Sequence, residues 1–446
     1  MDTLDPIRFR THTFGCKVNT YDTGLLEGRL QTQGFTVAEK EPQVHILNTC
    51  AVTREATREA ARLARRLKIQ NPLSLVVLTG CAAQVDTEEL ATVKGVDLVV
   101  ANSHKSELGD LIRRYYSGEL RERIHKSNIF KKEDLEEGGG LESSHTRSFL
   151  KIQDGCNSFC TFCVIPFARG KSRSLSIQNL VRRVRELESK GVKEAVLTGV
   201  HIADYQDEDK GLEDLVEALL AKTSMARFRL TSLEPLEVSP RLLDLYQDPR
   251  LCPHFHMSIQ AASTKVLREM KRKYTARDVQ ESLVNIAERV PGVFLGLDVI
   301  AGFPGESDEE FLETLEVLKA SPWTRLHVFP YSRRPGTIAG RRDDEVPPSS
   351  ISLRARLLRE LSDQRFAERQ AMQLGSRKRA LALRGSWKAT SEIRSGVNPE
   401  IQLLSRDYWT ITGDFDVEAN TEIDVEIAAI GPNGRLIGNI CASNPL

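Results

Sequence analysis

From residue 8 onward, short strand-like runs alternate with helix-like runs, and a cysteine follows each of three early strands. Arg8-Phe-Arg-Thr-His-Thr13 leads to Gly15-Cys16, Val44-His-Ile-Leu-Asn48 to Thr49-Cys50, and Leu75-Val-Val-Leu-Thr79 to Gly80-Cys81. Helical stretches from Tyr21 to Gln33 and from Thr53 to Ile69 separate them. This β-α-β-α-β rhythm predicts a parallel sheet, because parallel neighbours need a long crossover and a helix supplies it. Ligands of parallel sheets bind beyond the carboxyl ends of the strands. The three cysteines, 34 and 31 positions apart, are too widely spaced for one metal-binding loop, yet they are expected to converge on one sheet edge. The competing reading is three unconnected small residues, or a redox pair with one spare thiol.

A second set is compact. Gly155-Cys-Asn-Ser-Phe-Cys-Thr-Phe-Cys163 places Cys156, Cys160 and Cys163 in a C-x3-C-x2-C loop. Three thiolates are one fewer than the irons of a cubane cluster, so one iron would remain free to bind something else. A structural zinc site would need a fourth ligand from elsewhere.

The order of segments predicts three domains. The polar stretch Lys131–Gly140, continued by Glu142-Ser-Ser144, reads as a linker. Residues 6–120 form the first domain and 142–372 the second. In the second, strand patterns at 149–152, 194–198, 227–232, 254–260, 293–300 and 324–331 are mostly separated by helical ones, which suits an open, partial (β/α)6 barrel. From about Gly375 the rhythm becomes all-β, with turns at Gly413-Asp414, Gly431-Pro432 and Asn433-Gly434, and predicts a small barrel over 375–444. Between Arg377 and Arg394 there are six Lys or Arg and one acid, whereas every charge from Asp407 to Glu426 is acidic. That asymmetry suits an RNA-facing surface or a merely solvated one.

At Cys156–Cys163 the chain resembles the radical S-adenosylmethionine enzymes, whose signature is C-x3-C-x-aromatic-C; Phe162 supplies the aromatic. Phe14-Gly-Cys-Lys-Val-Asn19 with Tyr21-Asp22, Asn48-Thr-Cys-Ala-Val-Thr53, Thr79-Gly-Cys81, Val299–Glu306 and Phe329–Thr337 resemble the methylthiotransferases of that superfamily. The resemblance covers nearly the whole chain. It implies two [4Fe–4S] clusters, on Cys16/Cys50/Cys81 and on Cys156/Cys160/Cys163. The second would bind S-adenosylmethionine and generate a carbon radical; the first would deliver sulfur. It further implies that the carboxy-terminal barrel is a TRAM domain binding RNA. Lys17-Val18-Asn19 resembles the branch that acts on N6-threonylcarbamoyladenosine at position 37 of tRNA, in the anticodon stem-loop. The same chemistry on isopentenyladenosine-37 or on a ribosomal-protein aspartate remains an alternative, as does a non-catalytic iron–sulfur RNA-binding protein. An electron-donor protein and a sulfur source are implied partners.

Other candidates follow from strand ends. Gly199, in Leu197-Thr-Gly-Val-His201, either admits a cofactor close to the backbone or makes a tight turn. Ser232 and Glu234 end the third barrel strand, where a carboxylate can accept ribose hydroxyls, and Gln260 ends the fourth. Tyr331 and Arg333 follow the sixth and are candidates for nucleotide contact, by stacking and charge, or parts of a packed turn. A threonylcarbamoyl carboxylate would call for a cation, with Lys17 and Arg333 as candidates. The resemblance implies that Gln260, and Asp298 in the fifth strand, face the cavity. His254 and His256 share a strand face, His256 as a barrel-lining hydrogen bonder; Cys252 is a spare thiol, and Cys441 is structural or incidental. Arg54, Arg58, Arg62 and Arg65 recur at helical spacing beside Cys50, a stripe suited to RNA backbone or to solvent. With 62 basic and 62 acidic residues the net charge is zero, so any RNA site must be a local patch. No apolar run approaches the ~18–20 residues of a membrane span, and no signal peptide is evident, so a cytoplasmic protein is expected.

Overall fold

A computed structural model describes residues 6–133, 135, 146–383, 402–432 and 434–441. Most of the expected linker, the basic run beyond Leu383, Ile401 and Asn433 lie outside the described residues.

The amino-terminal unit is one parallel sheet in the order β2-β1-β3-β4-β5-β6. Its strands are β1 (Arg8–Thr13), β2 (Thr36–Val37), β3 (Val44–Thr49), β4 (Leu75–Gly80), β5 (Leu98–Val100) and β6 (Ile124–His125). Helices α1 (Lys17–Thr32), α2 (Arg54–Gln70) and the short α3 (Cys81–Val85) follow β1, β3 and β4. Every residue of β3 and β4 is buried, as expected of strands covered on both faces. The expected helix at Tyr21 begins four residues earlier, so Lys17, Val18 and Asn19 form the first turn of α1.

The core unit carries β7 (Arg147–Lys151), a small ribbon of β8 (Gln153–Asp154) and β9 (Arg173–Ser174), then β10 (Glu194–Thr198), β11 (Arg227–Leu230), β12 (His254–Gln260), β13 (Phe294–Ala301) and β14 (Arg325–Pro330). Two parallel three-stranded sheets, β7-β10-β11 and β12-β13-β14, are joined by a parallel bridge between Leu233 and Met257. Six parallel strands thus curl into an open barrel around one apolar core, as the strand–helix rhythm predicts.

The last five strands, β15 (Arg377–Leu383), β16 (Gln402–Ser405), β17 (Thr410–Thr412), β18 (Glu422–Ile430) and β19 (Leu436–Ile440), close into a barrel. It packs against the amino-terminal ends of the core strands. Arg227 donates to the carbonyls of Leu404 (3.1 Å) and Ser405 (3.0 Å), and Phe294 packs edge-on to Trp409 at 5.3 Å. The charge asymmetry of this segment is not, over the described residues, a division into basic and acidic faces. β15 runs beside β18, and Arg377 pairs with Glu426, Lys378 with Asp407 and Arg379 with Glu422. Charges segregated along the chain become neighbours across an antiparallel ladder.

Candidate active site

Cys16, Cys50 and Cys81 sit directly beyond β1, β3 and β4, three adjacent strands whose ends are level: Thr13 pairs with Asn48 and Thr49 with Gly80. The loops that hold them are tight. Gly15 adopts φ +92°, and a Cβ there would lie 2.6 Å from the Cys50 sulfur, so only glycine lets the first loop approach the second. The three thiols act on one another electrostatically. Burial pushes the Cys50 thiol up to about 12, and Cys81 is raised for the same reason. Asn19 orders the site: its amide donates to the carbonyls of Phe14 (2.8 Å) and Thr49 (3.0 Å), and the Cys81 thiol lies 3.9 Å from its Oδ1.

The second triad sits in the loop after β7 and β8. Thr161, inside it, donates its backbone N–H to Met270 (3.1 Å) and its hydroxyl to Glu269 (2.8 Å), and accepts from Ala339 (2.8 Å), which fixes the loop to the barrel rim. Burial opposes ionisation of Cys156, but His201 and Ser158 hydrogen bonds hold it below the usual thiol value. Burial pushes Cys163 up to about 12 and also raises Cys160. None of the cysteines is in a disulfide. Buried thiols raised this far are poor nucleophiles by themselves. A bound metal would deprotonate them outright, and three convergent sulfurs per site fit a cubane cluster with one open iron.

A 180 Å³ pocket is lined by residues of the loops that carry both triads. Val52 and Thr53, just past Cys50, form one wall, and Phe162, beside Cys163, forms another. Gln260, Asp298, Ile300, Phe329, Pro330, Tyr331 and Ser332 complete it. The Tyr331 hydroxyl is buried with no hydrogen-bond partner. Arg333 is not among the walls: it donates to the Gly340 carbonyl at 2.7 Å and pairs with Glu345 at 2.8 Å, half-exposed. The structure therefore separates Arg333 from Tyr331, because that loop turns its side chain outward. Glu234 is ion-paired with Arg272, near Cys160, and lies 3.8 Å from His201. Ser232 lies just past β11, with φ +59°. Gly199 has a packing reason to be glycine: a Cβ would stand 2.8 Å from Gln153 Oε1, which accepts the N–H groups of Val200 and His201.

His256 lies 2.7 Å from Asp298 inside the barrel, a hydrogen bonder as expected, while His254 packs on the Tyr408 ring at 4.1 Å. Burial lowers the pKa of Lys17, whose ammonium also feels the charges of Tyr408, Arg147, Arg229 and Asp298. The arginine stripe of α2 is exposed and, with Arg334, lines a 450 Å³ groove beside the pocket.

Sequence reasoning missed two features. His201 bridges Cys156 to Glu237 and Asp204, and its place two residues after Gly199 was the only available signal. The other is a buried ion network joining α1 to the core. Asp22 takes Lys151 (2.5 Å), Arg169 (3.0 Å) and Lys105 (3.5 Å), and Asp154 takes Arg169 (2.9 Å) and Lys151 (3.4 Å). Arg169 also donates to Asn19 Oδ1 at 2.7 Å, linking the network to the first triad.

The radical SAM superfamily matches residues 150–318, and the family described as "Uncharacterized protein family UPF0004" matches residues 8–101. A threonylcarbamoyladenosine tRNA methylthiotransferase, MtaB, of Aquifex aeolicus is 40% identical over 83% of this chain and 92% of its own length. This chain belongs to the radical S-adenosylmethionine methylthiotransferases. The MtaB of Chlamydia pneumoniae is 30% identical over 97% of this methylthiotransferase and 98% of its own length. A tRNA-2-methylthio-N(6)-dimethylallyladenosine synthase of Chlorobium limicola is 34% identical over 83% and 86%. Among solved structures, the radical S-adenosylmethionine methyltransferase TsrM from Kitasatospora setae has a TM-score of 0.56 over 75% of this chain and 74% of that one. At 16% identity that likeness is one of fold alone. Among the described residues of this methylthiotransferase, no helix is long and apolar enough to cross a membrane.

Proposed function

We propose that this methylthiotransferase replaces the hydrogen at C2 of N6-threonylcarbamoyladenosine-37 in tRNA with a methylthio group. The observation that carries the reading is a pocket walled by loops from both cysteine triads. The relatives named for this substrate support it at up to 40% identity. Cys156, Cys160 and Cys163 would hold the cluster that engages S-adenosylmethionine, and Cys16, Cys50 and Cys81 the cluster that carries sulfur. When bound, these groups supply one-electron chemistry and a sulfur atom, which an aromatic C–H bond that is neither acidic nor electrophilic requires.

The chain's own residues position and exclude. Val52, Phe162 and Ile300 make the pocket walls largely apolar, which keeps water from a radical. Gln260 and the unpartnered Tyr331 hydroxyl offer polar contacts to a base splayed from the anticodon loop. Glu234 and Arg272, joined as a pair beside Cys160, would hold the ribose or charged groups of the cofactor. The groove lined by Arg54, Arg58, Arg62 and Arg65 offers cations to RNA phosphates next to the pocket. An electron-donor protein and a sulfur source would complete the cycle in the cytoplasm.

The test is mass spectrometry of tRNA nucleosides from cells with and without the gene, joined to assays with reconstituted protein. Loss of the 2-methylthio form of threonylcarbamoyladenosine on deletion is the expected result. Loss of the dimethylallyl counterpart instead would move the enzyme to the other branch. Failure to cleave S-adenosylmethionine would favour a non-catalytic RNA-binding protein.

A further inference from the structure

Side chains alternate across a strand, so Asp298 and Ile300 of β13 share one face, and both line the pocket walled by the triad loops. Phe329 of β14 lines it as well. On β12 the pairing register slips between Met257 and Gln260, and Gln260 holds φ +63°. A bulge of this kind re-aims a side chain, and a left-handed backbone is uncommon for a residue other than glycine. Gln260 is thereby brought to the pocket wall, opposite no strand partner of its own face.

Two polar groups of this wall keep unused hydrogen-bonding capacity. His256 lies 2.7 Å from Asp298 Oδ1, and among the described residues nothing donates to Oδ2. Lys17 and His327 act on Asp298 through charge, but among the described residues its one ion pair is with His256. The Gln260 side-chain amide has no hydrogen-bond partner among the described residues. Val52, Phe162, Ile300 and Phe329 make the remaining wall apolar and partly aromatic. A flat ring with one polar edge suits such a pocket, its face against the apolar groups and its edge against the polar ones. The carboxylate can only accept, whereas the amide nitrogen donates. Adenine offers the matching pair, an N6–H donor beside the N7 acceptor; guanine offers two acceptors there, which a carboxylate repels.

We propose that Asp298 and Gln260 read this edge of the target base, Asp298 Oδ2 accepting the N6–H and the Gln260 amide donating to N7. His256 is a positioning residue that holds the carboxylate by its other oxygen. C2 lies across the six-membered ring from the carbon that bears N7, so a base gripped by this edge points C2 the other way, clear of the gripping groups. This rests on the reading that the pocket takes the base, and deepens it: the base is selected by its edge, whichever substituent N6 carries, provided that one N6 hydrogen remains. A doubly substituted N6 leaves Asp298 without a donor, which is costly in a pocket closed to water.

The experiment uses the full reconstituted enzyme and synthetic anticodon stem-loops whose target base is unaltered, has N7 replaced by C–H, or carries an extra methyl group on N6. Each is made with the threonylcarbamoyl and with the isopentenyl substituent. The wild type is expected to lose roughly 10- to 100-fold in kcat/KM on either analogue, the range for leaving one buried group unpaired. In Asp298→Ala, which also makes room for the methyl group, the N6-methyl penalty should vanish while the N7 penalty stays. In Gln260→Glu, which turns the donor into an acceptor, the N7 penalty should vanish while the N6-methyl penalty stays. His256→Leu should shrink the N6-methyl penalty alone, although His256 is not among the pocket walls. A merely structural role would slow every stem-loop equally and leave these ratios intact. Equal use of all three bases by the wild type overturns the proposal, as do unchanged ratios in Asp298→Ala and Gln260→Glu. An N6-methyl penalty that persists in Asp298→Ala is one of bulk and overturns the carboxylate contact. Modification of the isopentenyl series alone overturns the substrate reading, while the ratios within that series still decide whether the edge is read.

Discussion

Replacing Asp22 by Asn should loosen the joint between the amino-terminal sheet and the core barrel. Asp22 lies on α1 and is buried, with Lys151 at 2.5 Å, Arg169 at 3.0 Å and Lys105 at 3.5 Å. Burial alone would raise its carboxyl, but Lys151, Arg169 and Lys105 override this and hold it far below the usual carboxylate range. Removing one member of a buried pair costs about 3–5 kcal/mol, because the partner charges stay buried. Asp154 still reaches Lys151 and Arg169, and Asn keeps one acceptor, so about 3 kcal/mol is expected. For a unit of 150–250 residues this lowers the melting midpoint by roughly 6–12 °C.

The assay is anaerobic thermal unfolding of Asp22→Asn, Lys151→Met and the double variant. The two changes should be strongly non-additive, since each removes the other's partner. The sign of the pH dependence follows from the depressed carboxyl. Its contribution is full above the unfolded value near ~4 and is lost as pH falls toward the folded one. The gap between wild type and Asp22→Asn should therefore be constant from neutral pH to about pH 5 and shrink in stronger acid. A midpoint shift below about 2 °C, or simple additivity, would refute the claim that this network joins the two units.

Alanine at Cys156, Cys160 and Cys163 should remove about half of the roughly eight irons expected of two cubanes and abolish cleavage of S-adenosylmethionine; zinc in place of iron would refute the two-cluster assignment. Alanine at Cys16, Cys50 and Cys81 should instead spare that cleavage and abolish methylthio product; continued product at the native rate would exclude this triad as the sulfur site. Trp409→Ala, which empties the contact with Phe294 and Phe366, should destabilise the protein by about 3–5 kcal/mol, read by chemical denaturation. Removing Arg58, Arg62 and Arg65 together should reduce the salt dependence of tRNA binding by a slope of about two to three, measured by titration at several ionic strengths, if each neutralises a phosphate.

Both thiolate triads were legible because their signals are local. A strand pattern followed by a cysteine places that cysteine at a strand end whatever the rest of the chain does, and parallel pairing then brings β1, β3 and β4 together. The pocket residues Gln260 and Tyr331 were legible for the same reason, as residues at or just past the ends of barrel strands. Arg333 was not, because the direction of a side chain in a loop is set by its partners, here Glu345 and the Gly340 carbonyl. The pairing of Arg377 and Arg379 with acids of β18 was not legible either, since composition along a strand says nothing about which strand lies beside it.

Periodicity and cysteine position, which are properties of neighbouring residues, determined the amino-terminal parallel sheet, the open core barrel, the closing β-barrel and the two sets of three thiols at strand ends, while the chemistry of those thiols came from the resemblance to a family. Only the tertiary structure decided that Asp22 meets Lys151 and Arg169, and that Tyr408 lies under the core barrel against Arg229 and His254. Those contacts join residues more than a hundred positions apart. Their geometry depends on how three separately patterned units dock, and docking is governed by buried charge and shape that no single segment contains.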